Sequence, residues 1–255
     1  LDYLIGTVPT STGTLPIGVG ATLAEIDVDS FSAAADVCDE TVALDAGGTQ
    51  ARYTCDGVVQ LDASPAAVIE QLLTSCNGTL VYSGGTYKLF VGTARAKSFT
   101  LTADMLRAPL KYRPRPSRRT LFNTMRGTYI DPDNYYEAAD FPVQTVAAYV
   151  TEDGGETVAQ DVQLSYTQDG IRAQRIARQM LARHRAAAAS VTLPLNWSGL
   201  GIAAQDCKVL DIDLLGLDDS RKWRVTDWAI AGDGGIDVTL AGEDDAAYAW
   251  TTADE

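Results

Sequence analysis

The spacing of apolar residues divides the chain into two parts after an irregular start. Residues 1–30 mix Gly, Thr and Pro without a hydrophobic period, which predicts a connector. Residues 31–94 predict a small α/β module of a helix, a strand, a second helix and a hairpin. Residues 95–255 contain short apolar runs bounded by glycines, and their longest helical period lies at 169–189. The predicted fold class is therefore α+β and mostly β.

Within the small module, the second helix and the hairpin have clear boundary signals. Ser64-Pro65 predicts a helix with a side-chain cap and a proline in its first turn, and Asn77-Gly78 predicts its end. The residues that follow predict two strands joined at Gly84-Gly85. The remaining elements of the module are a helix over 31–42 and a strand over 51–61.

In the second part, residues 121–131 predict a strand, 131–142 a loop, and 144–156 a strand that ends at a glycine turn. The helix over 169–189 has one apolar stripe, and its opposite face is polar. The polar face is lined by Arg172, Arg175, Gln179 and Arg183.

The charge of the chain changes this picture. The 255 residues carry a net charge of −14, which argues against a general affinity for nucleic acid or anionic membrane. Nine of the 20 Lys and Arg residues nevertheless lie between 95 and 126, and five more lie between 172 and 185. The first stretch either meets an anionic partner or pairs with acids of this chain or of a neighbouring subunit. The acidity of the chain favours the second interpretation.

Recognisable catalytic or metal-binding motifs are scarce in the sequence. His184 is the single histidine, so metal sites with several histidines are excluded, and its arginine neighbours favour a solvated helix end with a lowered pKa. No phosphate-binding glycine motif is present. Residues 131–134 lack the glycine and glutamate of a calcium loop and predict a turn. We therefore predict no cofactor, no metal and no enzymatic activity, although an Asp/Glu pair of a hydrolase stays an alternative.

The cysteines and tryptophans leave two further alternatives. The four cysteines contain no CxxC pair, and Cys38 and Cys76 are expected to be buried thiols, with a Cys38–Cys55 bridge left open. A carbohydrate- or receptor-binding module would use the four tryptophans Trp197, Trp223, Trp228 and Trp250. Trp223 and Trp228 lie five positions apart and would face opposite sides of one regular strand, which disfavours a paired sugar platform.

Several segments, in their order and spacing, resemble one family. The string LFNTMRGTYIDPDNYYEAADFP (121–142) and the later segments 149–156, 172–202 and 223–250 resemble the central tail-tip, or host-specificity, protein of lambda-like long-tailed phages, the tip attachment protein J family. Residues 51–92 resemble the module that precedes these segments in that family.

The resemblance implies a baseplate-hub-like β domain over 95–255 in a homotrimer that closes the distal end of the tail tube. It implies contacts with the distal tail protein and the tape-measure protein, and a C-terminal fibre beyond this chain. The bacterial receptor would be contacted only indirectly and DNA only in transit, without stable membrane anchoring. A protein of this kind is made in the host cytoplasm and resides at the virion tail tip. The absence of an initiator Met adds the expectation of a hub fragment.

An interface between subunits would use the basic stretch against an acidic surface, with aromatic anchors from the loop at 131–142. For the aromatic residues, a local cluster within the loop is an equal alternative. The predicted interface residues are Arg113, Arg115, Arg118, Arg119, Tyr135, Tyr136 and Phe141.

Overall fold

The computed structural model describes residues 1–16, 18–60, 62–116, 120–212, 217 and 221–255. Its amino-terminal third contains three helices and three antiparallel hairpins. These elements are α1 (Asp2–Ile5), β1 (Thr7–Thr10), β2 (Gly13–Pro16), α2 (Val28–Asp39), β3 (Thr41–Ala43), β4 (Thr49–Ala51), α3 (Pro65–Thr74), β5 (Thr79–Ser83) and β6 (Thr86–Phe90). Residues 1–30, predicted as a connector, thus form a helix, a hairpin and a 3-10 turn, and their Leu4 and Ile26 pack with Phe31.

The start and stop signals of the small module agree with the structure. The Ser64 hydroxyl accepts a hydrogen bond from Ala67 N at 3.3 Å, and the β5–β6 hairpin turns at Gly84-Gly85. Helix α2 begins earlier than predicted because the Asp27 side chain, which accepts from Ser30 N at 3.0 Å, is its cap.

The strand predicted over 51–61 is wrong. Of the described residues 51–60, Ala51 alone belongs to a strand, β4, and the backbone that follows bonds to separate segments. Tyr53 N donates to Cys38 O at 3.1 Å, and Asp56 N donates to Tyr166 O at 2.9 Å. The segment lies between α2 and the rest of the protein, so its backbone groups find partners other than a parallel or antiparallel strand.

The larger part of the chain forms two sheets. The six-stranded sheet has the order β7-β14-β15-β16-β13-β8, and its apolar side packs around Trp223, which is fully buried. Its strands are β7 (Phe99–Thr102), β8 (Lys111–Arg113), β13 (Ser190–Leu195), β14 (Cys207–Asp211), β15 (Lys222–Ile230) and β16 (Ile236–Glu243). A bulge between Val225 and Asp227 adds one residue to β15, so Trp228 packs against the same core as Trp223 and the predicted opposite orientation is wrong.

The second sheet has four strands, with β9 at its centre. β10 and β11 pair with β9 on one side, and β12 lies parallel to β9 on the other. The elements are β9 (Thr124–Asp131), β10 (Glu137–Asp140), β11 (Gln144–Thr145), α4 (Ala147–Glu152), β12 (Ala159–Leu164) and α5 (Gly170–Ala186). Two predictions are corrected here, because the loop over 131–142 contains strand β10, and the strand over 144–156 is mainly the helix α4.

Helix α5 is the longest helix of the described residues, and it is buried on both faces. Its apolar stripe packs on Met125, Phe141 and Leu164 of the β9 sheet. Its polar face is buried as well, with Arg175 at 0% and Gln179 at 1% exposure, because the small module packs against it. The predicted polar face opposite the apolar stripe is thus present, and it is buried.

The small module packs on α5 and also accepts hydrogen bonds from α5 side chains at its backbone carbonyls. Arg175 Nη2 donates to Arg52 O at 2.6 Å, and Arg183 Nη1 donates to Asn77 O at 2.7 Å. The Tyr53 hydroxyl contacts Gly92 O and the side-chain amide of Gln179 on α5. Burial lowers the pKa of Arg175 to about 10 and raises the pKa of Tyr53 to about 12.

Among the described residues, the helices are too short or too polar to span a bilayer.

Candidate interaction surfaces

Several basic residues of the 95–126 stretch are bound within the chain. Arg107 forms ion pairs with Asp233 and, at 2.6 Å, with Asp237. Asp233 lies in the turn of the β15–β16 hairpin, and Asp237 lies on β16. Arg126 Nε lies 2.5 Å from Asp161 Oδ1, and this hydrogen bond lowers the pKa of Asp161. For these residues, the predicted pairing with the chain's own acids is confirmed.

Three basic side chains differ from all others that the structure describes. Lys111, Arg113 and Arg115 make no ion pair, hydrogen bond or ring contact with another described residue, whereas every other described Lys and Arg makes at least one. All three are exposed. We call these three residues the basic edge. The predicted interface residues Arg118 and Arg119 lie outside the described residues.

The basic edge lies on β8 and the extended residues that follow it. β8 is at the border of the six-stranded sheet and pairs, among described strands, with β13 alone. Tyr112 packs against the core, with its ring centroid 6.4 Å from that of Trp223. Because side chains alternate along a strand, Lys111 and Arg113 point away from that core on the opposite face.

The predicted aromatic anchors have different environments. Tyr135 and Tyr136 are 90% and 64% exposed at the tip of the β9–β10 hairpin. Both have left-handed backbone angles, with φ of 55° and 60°, a conformation that costs about 1 kcal/mol or more for a residue with a side chain. Phe141 is 3% exposed and packs with Met125 and Leu164 in the core under α5, and not in a local cluster with the two tyrosines, so its side chain is not available to a partner.

An acidic surface that the sequence reasoning missed adjoins these tyrosines. We call Asp131, Asp133, Glu137 and Asp140 the acidic edge; none of the four forms an ion pair with a described residue. Glu137 and Asp140 lie on β10, which pairs only with β9 among described strands. The sequence EAAD lacks the β-branched and aromatic residues that mark strands, so no signal identified this edge. The predicted turn at 131–134 is confirmed, since Asp131 Oδ1 accepts from Asp133 N at 3.1 Å.

A charged groove of about 840 Å³ is lined by residues of α4, of α5 and of the ends of strands β15 and β16. Inside it, Arg185 Nη2 lies 2.8 Å from Asp153 Oδ2, and Lys222 Nζ lies 2.5 Å from Asp245 Oδ2. Arg115 of the basic edge lines its rim. Acids and bases of this chain neutralise each other along most of the groove, so it adds little net charge to the surface.

Among the residues that the structure describes, the predicted candidates form no recognisable catalytic centre. His184 is half-buried, its Nε2 lies 2.9 Å from Thr120 O, and its ring stacks on Phe122 with centroids 4.0 Å apart. Burial is the main cause that lowers the pKa of His184, so the predicted direction is correct and the predicted solvated environment is wrong. Within the described residues, no three His, Cys, Asp or Glu side chains are placed to hold a metal ion.

The four cysteines are free thiols, so Cys38 and Cys55 are not bridged. Cys38, Cys55 and Cys76 line an apolar cavity of about 550 Å³ in the small module. Burial raises the pKa of Cys38 to about 11 and that of Cys76 to about 12, which makes these thiols poor nucleophiles.

The tryptophans do not form a sugar-binding platform. Trp223 is fully buried, Trp228 packs partly on the same core, and Trp197 is 57% exposed on a 3-10 turn. A lone exposed Trp does not favour a carbohydrate-binding function.

A solved structure titled "Virion of native gene transfer agent (GTA) particle" contains a chain of similar fold, with a TM-score of 0.61 and 18% identity. The match covers 80% of this chain and 43% of that chain, so this chain spans less than half the length of that relative.

Two tail proteins match with lower scores. The tail protein from Neisseria meningitidis MC58 has a TM-score of 0.49 and 14% identity, over 84% of this chain and 66% of that chain. The 43 kDa tail protein of prophage MuSo2 from Shewanella oneidensis has a TM-score of 0.46 and 13% identity, over 74% and 55%.

The sequence was also compared with curated proteins, and none of them matches. In contrast, the model of a family described as "Putative phage tail protein" matches residues 64–228, which is well over half of the chain. The matched range includes the basic edge, the acidic edge and all of α5. The chain therefore belongs to this family of phage tail proteins.

Proposed function

We propose that this chain is a structural subunit at the distal tip of the tail of a long-tailed phage, a prophage or a gene transfer particle. In this role, copies of the chain form a trimeric hub that closes the tail tube and opens for DNA passage. The observation that carries the proposal is the family match over residues 64–228. The shared fold with a chain of a gene transfer agent virion supports it.

The surfaces of the molecule fit an assembly role. Two exposed tyrosines on a strained turn and three uncompensated basic residues are features of surfaces that bind protein. The partners we propose are further copies of the chain, the distal tail protein, the tape-measure protein and fibre segments beyond this chain. Receptor recognition would then belong to the fibre, and DNA would pass without stable binding to a chain of net charge −14.

The location can be tested in particles. A short epitope tag placed in the exposed Asp45–Gly48 turn should label the distal tail end alone in electron micrographs of otherwise normal particles. Deletion of the coding sequence should yield particles that lack the tail tip. Label along the tube or on the head would contradict the proposal.

A further inference from the structure

We propose that the basic edge of one copy binds the acidic edge of a second copy, side by side along strands β8 and β10. This inference rests on the proposed function, since it names the contact by which copies would assemble. The observation behind it is that the charged side chains of these two edges form no ion pair with another described residue.

The basic edge is set apart by its lack of partners. Arg95, Arg107 and Arg126 come from the same stretch of sequence, yet each is held by a carbonyl or a carboxylate of this chain. The side chains of Lys111 and Arg113 form no ion pair or hydrogen bond with another described residue. Their cationic groups repeat every second residue along an extended segment, about 7 Å apart on one face. Cationic groups placed in this way can pair with carboxylates on a neighbouring strand.

The acidic edge offers carboxylates along an open strand: Glu137 shares one face with its cross-strand partner Asp131, and Asp140, three positions further along, lies on the other face. Phe141 N donates to Gly127 O at 3.2 Å, so the alternation of an antiparallel pair turns the backbone groups of Ala138 and Asp140 away from β9. These groups are free to bond to another strand. Glu137 and Asp140 flank them, and both carboxylates are exposed.

The exposed tyrosines supply binding energy that ion pairs at a surface do not provide. Exposed ion pairs contribute only about 0.2–1 kcal/mol each, so three of them orient a contact more than they hold it. Tyr135 and Tyr136 stand beside the acidic edge, and large aromatic side chains of this kind carry much of the binding energy at interfaces. The contact that we propose therefore uses charge for register and the tyrosines for affinity.

The two edges are different surfaces, so the contact runs head to tail. A head-to-tail contact between identical chains closes into a ring when the rotation per subunit divides a full turn, as in the trimer proposed above. DNA phosphates would also fit the basic edge. The net charge of −14 and the unpaired acids of β10 favour a second copy as its partner.

Charge reversal tests the inference. One variant reverses the basic edge by K111E, R113E and R115E, and a second reverses β10 and its turn by D133K, E137K and D140K. Asp131 is left intact because its side chain holds the turn. A third variant combines all six changes. The matched control reverses three exposed acids of the small module, by D36K, D62K and E70K.

Sedimentation velocity of the full chain gives the readout. In about 0.1 M salt, where the Debye length is about 10 Å, the wild-type chain should self-associate, and in about 1 M salt it should do so more weakly. Each single-edge variant should lose about tenfold or more in association constant. The six-change variant should regain association with itself and should not mix with wild type, and the control should behave as wild type.

Other outcomes overturn the inference. A wild-type chain that stays monomeric at every concentration contradicts it. Association that ignores both edge reversals refutes this contact while leaving the proposed tail-tip location standing, since particle labelling tests that location separately. A short DNA duplex that binds wild type and not the K111E, R113E, R115E variant would assign the basic edge to nucleic acid instead.

Discussion

Replacement of Tyr53 by Phe tests how the small module is attached to helix α5. The Tyr53 side chain is 3% exposed, and its hydroxyl is the contact shared by Gly92 O and the Gln179 amide. Removal of the oxygen leaves both groups buried without that partner. A buried polar group that loses its hydrogen bond costs about 1–3 kcal/mol, so we expect the free energy of unfolding to fall by about 2 kcal/mol.

The pH dependence sharpens the same prediction. Burial raises the pKa of Tyr53 to about 12, above its ordinary value of 10, so the stability contributed by the neutral hydroxyl is complete below pH 10. It is lost between pH 10 and 12, by about 1 kcal/mol at pH 11. Because Phe does not titrate, the stability gap between wild type and Y53F should narrow by this amount from pH 8 to pH 11.

Urea denaturation followed by circular dichroism at the two pH values measures both effects. Y82F is the matched control, since Tyr82 lies on β5 and is 58% exposed. This control should stay within about 0.5 kcal/mol of wild type. If Y53F were as stable as wild type at pH 8, or if the gap did not change with pH, the described attachment of the small module would be refuted.

Three further changes probe other parts of the structure. D153A leaves Arg185 buried without its carboxylate and should lower the free energy of unfolding in urea by about 3–5 kcal/mol; a loss under 1 kcal/mol contradicts the described ion pair. W223A removes the fully buried centre of the six-stranded core and should cost about 3–5 kcal/mol in the same assay, and a near-neutral effect would contradict that core. The Cys76 thiol, with its pKa raised to about 12, should react with iodoacetamide at pH 8 roughly a hundredfold more slowly in the native chain than in urea, by mass spectrometry; equal rates would show that it is not buried.

Local signals predicted those parts of the fold whose structure is decided locally. Helix α3 and the β5–β6 hairpin each carry a cap or a glycine turn within the element, and the structure contains both. The long helix α5 was placed within a few residues because its apolar stripe and its Asp169 cap are in sequence.

The same helix shows where sequence reasoning ends. Arginines on the face opposite an apolar stripe ordinarily point to water. Here Arg175 is fully buried, since the carbonyl oxygens of Ala51 and Arg52 face it from a segment over 120 positions away. Rules based on the spacing of residues in the sequence do not predict that contact. The bulge that turns Trp228 toward the core is likewise decided by pairing with β16.

The interface itself stays a prediction, and the structure narrows its candidate residues. The basic edge is visible in the sequence as charge between prolines, but only the structure separates Lys111 and Arg113 from Arg107 and Arg126, which are already paired. The acidic edge was hidden because β10 is held in a strand by β9 and not by its own residues. The charge composition therefore indicates the region. The ion pairs and strand pairing of the folded chain show which of its charged residues are without partners.

The most direct test of the account is an electron cryomicroscopy map of the tail that carries this chain. The account predicts three copies in a closed ring at the distal end of the tube. In that ring, residues 111–115 of each copy should lie beside residues 131–140 of the next. Copies placed along the tube, or a ring whose neighbouring subunits meet through other surfaces with both edges in solvent, would contradict it.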